Sequence, residues 1–148
     1  MKADSKVFIL LLVALILLVA SPVPAYACED DLSVSIEDYN VKDIDGDGTE
    51  DLQLIGKAEF TLDDLCGNGK VIIVLSLHLE HEGGSSKIIT QTLHVDLNEG
   101  EDKISFVFTV FNLKAGDYSI YLMAYCRGLR AKSEPVIIDP PGGTVGPI

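Results

Sequence analysis

The sequence lacks the short motifs that many enzyme families require. It contains no G-x-S-x-G elbow, no phosphate-binding loop, no HExxH pair and no CxxC pair. Its serine and histidine residues never occur in a context that suggests nucleophilic catalysis. We therefore predict that the protein is not an enzyme.

Positive charge is also scarce. The 148 residues include 11 lysines and arginines against 23 aspartates and glutamates, which gives a formal net charge of −12. Such a surface repels nucleic acid and anionic lipid head groups, and it attracts cations. The composition therefore argues against a nucleic-acid partner.

One long apolar run is present, and it stands near the N-terminus. Val7–Ala20 is entirely apolar, follows Lys2 and Lys6, and precedes the small-x-small sequence Ala25-Tyr26-Ala27. The run is shorter than the roughly 20 residues that a membrane-spanning helix needs. Its pattern is typical of a secretory signal peptide. We predict cleavage after Ala27, no membrane span in the mature chain, and a secreted or cell-surface location.

The rest of the chain alternates apolar and polar residues, which is the period of half-buried β-strands. No helical stripe of useful length appears. Turn residues separate seven predicted strands at near-regular spacing, so we expect an all-β, two-sheet fold over residues 28–139. The Pro- and Gly-rich residues 140–148 form a linker-like tail. The predicted strands are Leu32–Asn40, Leu52–Leu62, Val71–Glu82, Lys87–Leu97, Lys103–Phe111, Asp117–Arg127 and Ala131–Asp139.

The segment Leu113–Leu122 (LKAGDYSIYL) resembles the entry to the penultimate strand of immunoglobulin-like and fibronectin type III-like domains. In those folds a Tyr two residues after a Gly closes the corner by bonding to nearby backbone; here that residue is Tyr118. The resemblance implies a single seven-stranded antiparallel immunoglobulin-like β-sandwich. The chain departs from antibody-type domains because it has no Trp, and Ile120 occupies the place of the second core Cys.

An acidic segment between the first two predicted strands carries the strongest local signal for a ligand. The spacing of Asp43, Asp45, Asp47, Thr49 and Asp51 resembles the first nine positions of an EF-hand loop, and equally the DxDxDG loops of secreted β-proteins. Gly48 permits the turn after the third Asp, and Thr49 would contribute its backbone carbonyl. We therefore predict a structural Ca²⁺ site.

The EF-hand resemblance is incomplete. Leu54 stands where an EF-hand has its bidentate Glu, so this is not a sensor EF-hand. We expect Asp38, Asp139 or water to replace the missing ligand. The alternative is an acidic turn that binds nothing.

The chain has three cysteines, which is an odd number. The sandwich resemblance places Cys66 and Cys126 at the same end of the fold and so implies a disulfide between them. Cys28 would stand at the start of the first strand, at that same end of the fold, so it competes for either partner. A lipid anchor at Cys28 is a further alternative, although Ala25 stands where lipid-anchor motifs usually have Leu.

The function expected from these features is an exported, non-enzymatic, calcium-stabilised module with a structural, adhesive or ligand-binding role at the cell surface. Its partner would be an extracellular protein or a glycan. The alternative is a small secreted protease inhibitor or carbohydrate-binding domain, in which the loop of residues 63–69 would make the contact.

Overall fold

The described part of the chain consists entirely of β-strands and the turns between them, with no helix. The structure, a computed structural model, describes residues 31–61, 70–96 and 103–141. No helix in these ranges could cross a membrane. The predicted signal peptide, Cys28, Cys66 and residues 142–148 of the tail lie outside the described residues.

Eight strands form in the described ranges. They are β1 (Asp31–Lys42), β2 (Glu50–Thr61), β3 (Lys70–His81), β4 (Ser86–Asp96), β5 (Lys103–Leu113), β6 (Tyr118–Cys126), β7 (Leu129–Lys132) and β8 (Val136–Ile138). The seventh predicted strand is divided into β7 and β8, because residues 133–135 leave the sheet. Pro135 cannot donate a backbone hydrogen bond. The backbone N–H of Leu122 donates to the side-chain hydroxyl of Ser133. The expected count of seven was therefore one too low.

The strands form two antiparallel sheets. The first sheet has the order β1-β2-β5, and the second has the order β4-β3-β6-β7, with β8 also pairing with β6. In the first sheet β1 and β5 are the edge strands, and β1 packs against β6 and β7 of the second sheet. The arrangement is sandwich-like.

One hydrophobic core lies between the two sheets, because the alternating apolar residues of both sheets face each other. Gly56 sits where the two sheets pack closely: a Cβ atom there would clash with the Phe106 ring and would lie 2.8 Å from Cδ1 of Leu122. The alternation predicts one inward-facing apolar set in each long strand, and its described members are buried or half-buried: Leu52, Leu54, Ala58 and Phe60 in β2; Val71, Ile73, Leu75, Leu77 and Leu79 in β3; Ile104, Phe106, Phe108 and Val110 in β5; Tyr118, Ile120, Leu122 and Ala124 in β6. The core thus fixes which face of each strand is free for other roles.

A candidate metal centre at the acidic loop

The acidic segment connects β1 to β2 at one end of the three-stranded sheet. Strand β1 ends at Lys42 and β2 begins at Glu50, so Asp51 already belongs to a strand. Gly46 and Gly48 have φ angles of 80° and 89°, a region that favours glycine. These two glycines let the chain turn tightly enough for the aspartates to face one another.

Asp43 organises the turn by accepting hydrogen bonds on both carboxylate oxygens. The N–H of Gly46 donates to Oδ1 at 2.6 Å, and the N–H of Gly48 donates to Oδ2 at 2.9 Å. The N–H of Asp47 donates to Asp45 Oδ1 at 3.1 Å. Local side-chain-to-backbone bonds of this kind are the reason that Asp is favoured in turns.

Three carboxylates converge in this loop. Asp43, Asp45 and Asp51 each offer an oxygen, and these atoms lie within 4.8 Å of one another. Two oxygens bound to one Ca²⁺ at 2.3–2.6 Å stand at most about 5 Å apart. The triad therefore has the spacing and the all-oxygen chemistry to hold a hard metal ion, while zinc prefers nitrogen and sulfur ligands.

Asp51 is the unusual member of the triad because its side chain is fully buried, with 0% exposure. The N–H of Ile44 donates to its Oδ2 at 2.8 Å, and the N–H of Asn112 donates to its Oδ1 at 2.9 Å. A buried charge requires such partners, since leaving it unpaired costs several kcal/mol. Asp51 therefore ties the loop to both its own turn and strand β5.

Asn112 is a site residue that sequence reasoning missed. Between the pairs Glu50–Leu113 and Leu52–Val110, strand β5 has one more residue than β2, which is a β-bulge. Asn112 in this bulge has φ 59°, so its N–H points at the Asp51 carboxylate instead of continuing the ladder. The Asn112 side-chain Oδ1 lies 2.6 Å from the Thr49 hydroxyl oxygen. No local sequence signal could connect residues so far apart in the chain.

The carboxylates of the loop repel one another. The N–H of Asp47 lowers the pKa of Asp45, but desolvation and repulsion from the carboxylates of Asp47, Asp51 and Asp43 together raise that pKa above its usual value. Hydrogen bonds from the Thr49 hydroxyl and N–H lower the pKa of Asp47. The charged form of Asp45 is thus disfavoured, as expected where like charges crowd together.

The five predicted ligands lie in or directly after one turn, but only Asp43, Asp45 and Asp51 belong to the triad. The Asp47 carboxylate lies outside it and accepts the N–H and hydroxyl of Thr49. Neither of the proposed replacement ligands joins it among the described residues. Asp38 sits beside the bulge in β1 and accepts the N–H of Tyr39, and Asp139 follows β8.

Of the other predicted site residues, only Cys126 lies in the described part of the chain. Cys126 is buried at the end of β6. Its predicted disulfide partner, Cys66, and the loop of residues 63–69 lie outside the described residues. The pairing and the predicted contact role of that loop therefore stay predictions.

The aromatic residues on the outer face of the second sheet have cationic side chains near their rings. The rings of Tyr121 and His78 stack with centroids 4.7 Å apart, and Lys132 Nζ lies 4.0 Å from the Tyr121 ring centroid. The Arg130 guanidinium lies 5.9 Å from the centroid of Tyr125. These contacts place cations where a sugar ring would have to stack.

Comparison with known proteins adds no family assignment. No protein-family model matches the chain, and no curated protein matches it. A solved chain described as the X-ray structure of Northeast Structural Genomics Consortium target SoR45 aligns with 80% of this chain and 92% of its own. The identity is 8% and the TM-score 0.39, so this likeness carries no argument about fold or function.

Proposed function

We propose that the chain is an exported, non-enzymatic module of the immunoglobulin-like or fibronectin type III-like class, stabilised by Ca²⁺ bound at the acidic loop. It would serve a structural, adhesive or ligand-binding role outside the cell. The observation that carries the calcium proposal is the convergence of Asp43, Asp45 and the fully buried Asp51 within 4.8 Å. A buried carboxylate facing two others gains most from a cation that offsets their mutual repulsion.

Two features support the fold class. In the strand orders β1-β2-β5 and β4-β3-β6-β7, the chain crosses from one antiparallel sheet to the other after β2, after β4 and after β5. Such connections between two packed sheets are typical of this class. The N–H of Lys114 donates to the Tyr118 hydroxyl at 3.0 Å, which is the corner contact that the sequence predicted. Fold alone does not assign a partner.

Calcium is favoured over other hard cations by the form of the site. The loop is exposed apart from Asp51 and its donor atoms are all oxygen, so the Thr49 carbonyl and solvent water would add to the triad toward a set of six to eight ligands. An incomplete set of protein ligands suits the 10⁻⁴–10⁻³ M affinities of extracellular modules. At about tenfold its Kd, such an ion adds about 1.4 kcal/mol of stability.

The test is a thermal melt of the purified protein in millimolar calcium and in excess chelator. We expect calcium to raise Tm by roughly 4–8 °C, the shift that about 1 kcal/mol gives a domain of this size. Asp45→Asn keeps an oxygen for the Asp47 N–H but removes one negative charge. We expect this variant to lose the calcium response and to melt higher than the wild type in chelator, because it relieves the repulsion around Asp45.

Asp38→Asn is the matched control, since Asp38 also accepts a neighbouring N–H but lies outside the triad. It should keep the full calcium response. A wild-type Tm that does not change with calcium would leave the loop as an acidic turn and would remove the calcium proposal.

A further inference from the structure

Strand β5 is an open sheet edge in the part of the chain that the structure describes. It pairs with β2 on one side, and no described strand pairs with its other side. The backbone N–H and C=O groups of an open edge are available to another strand, and proteins that must stay monomeric usually block such edges with charge, proline or short strands. None of these features interrupts Ile104–Phe111, although the chain as a whole is rich in acidic residues. High β-propensity without charge, Pro or Gly is the composition that pairs most readily with another strand.

The outer face beside this edge is apolar and exposed. Val107 of β5 is 48% exposed, and Ile55, which stands opposite it on β2, is 38% exposed. Phe111 further along β5 is 47% exposed. The open edge thus combines unpaired backbone with apolar side chains that a second strand would cover.

The residues of β5 form a near-palindrome centred on Val107. In an antiparallel pair of two β5 strands related by a twofold axis at Val107, equal or similar side chains would stand opposite each other. The opposed residues are Val107 with Val107, Phe106 with Phe108, Ser105 with Thr109, and Ile104 with Val110. Such matching is what an isologous interface requires, since each strand must complement itself.

The ends of the same pairing place a lysine beside an aromatic ring. Lys103 of one copy would stand opposite Phe111 of the second copy, next to the bulge at Asn112. Within its own sheet Lys103 pairs with Glu59 of β2. The lysine would therefore lie near one carboxylate of its own copy and one aromatic ring of the second, both of which attract an ammonium group.

We propose that the protein self-associates through β5, with the strands of two copies pairing antiparallel about Val107 to join two three-stranded sheets into one of six strands. The twofold pairing uses the β5 edge of each copy, so this interface joins two copies and leaves no β5 edge for a third. It does not depend on calcium at the acidic loop. The partner is a second copy of this chain because the near-palindrome sets equal or similar side chains opposite each other only when β5 pairs with itself.

The experiment measures the mass of the purified full chain by sedimentation velocity over a dilution series. Val107→Lys and Val107→Glu each place two like charges at the twofold axis, and we expect each to raise the dimer dissociation constant by about tenfold or more. An equimolar mixture of the two variants should dimerise again, since Lys then faces Glu. Ile88→Lys is the control, because Ile88 is a 59%-exposed β-branched residue on β4, an edge strand of the other sheet.

Circular dichroism checks that each variant is folded. Hydrogen exchange of the wild-type protein gives a second measurement without any variant: the edge amides of β5 should exchange more slowly as protein concentration rises. Several results would overturn the proposal. The first is a wild-type protein that is monomeric at every concentration or that forms open assemblies larger than a dimer. The second is a dimer that Val107→Lys leaves intact or that Ile88→Lys disrupts equally. The third is an equimolar mixture of Val107→Lys and Val107→Glu that stays monomeric.

Discussion

The two sheets differ in the neighbours that their functional side chains have within the chain. On the outer face of the second sheet, Tyr121 is stacked between His78 and Lys132, so its ring has partners within the chain. The three-stranded sheet ends instead in three crowded carboxylates and has an apolar edge at β5. The comparison teaches where to look for a cation: the Tyr121 ring already has a cationic neighbour within the chain, while the three carboxylates at the end of the first sheet mainly face one another.

The same contrast holds for the contacts that tie each sheet to its neighbouring turn. In the first sheet the buried Asp51 carboxylate accepts two backbone N–H groups. At the entry to the second sheet the neutral Tyr118 hydroxyl accepts one, from Lys114. Removing a charged acceptor from a buried position costs more than removing a neutral one.

The largest effect is expected for Asp51→Asn. The amide can accept one of the two N–H bonds, but its NH₂ group would face the other donor. We expect the free energy of unfolding, measured by urea denaturation in chelator, to fall by about 2–3 kcal/mol. Asp38→Asn should change it by less than about 0.5 kcal/mol, as surface substitutions usually do. Equal effects of the two variants would contradict the structural role of Asp51.

A smaller effect is expected for Tyr118→Phe, which removes only the hydroxyl that accepts the Lys114 N–H at 3.0 Å. The ring stays in the core, so we expect urea denaturation to show a loss of about 1 kcal/mol. Tyr39→Phe, at an exposed tyrosine of β1, is the control and should lie within about 0.5 kcal/mol of the wild type. A loss as large as that of Asp51→Asn would contradict the distinction between charged and neutral acceptors.

The smallest effect is a pH dependence carried by His78. Desolvation lowers the pKa of His78 in the folded state; the carboxylate of Glu80 raises it, and Lys132 and Arg130 lower it further. Because the folded-state pKa is depressed, the contribution of His78 to stability is present above its ordinary pKa of about 6.5 and is lost as pH falls through the folded-state pKa. His78→Phe keeps a ring against Tyr121 but cannot titrate.

The measurement is the difference in unfolding free energy between wild type and His78→Phe as a function of pH. We expect this difference to be constant above pH 6.5 and to move in favour of the variant as pH falls below that value. The other histidines are present in both proteins and cancel. A difference that does not vary with pH would contradict the depressed pKa.

Much of the fold could be predicted from sequence because the burial pattern is local. Alternation identified the inward residues of the long strands, and the LKAGDY segment located the Tyr118 corner. The division of the last strand was harder to predict: Pro135 indicated an irregularity, but the hydrogen bond between Ser133 and Leu122 depends on how β6 and its neighbour lie together.

The candidate site divides in the same way. The sequence by itself determined the acidic turn, since closely spaced aspartates with Gly46 and Gly48 are enough to bend the chain and gather the carboxylates of Asp43 and Asp45. Only the tertiary structure decided that Asp51 is buried, that the β5 bulge turns the Asn112 N–H toward it, and that Asp47 turns away to Thr49. The physical reason is that a turn forms from neighbours in sequence, whereas the burial and pairing of a charge depend on strands that meet only after the sheets have packed.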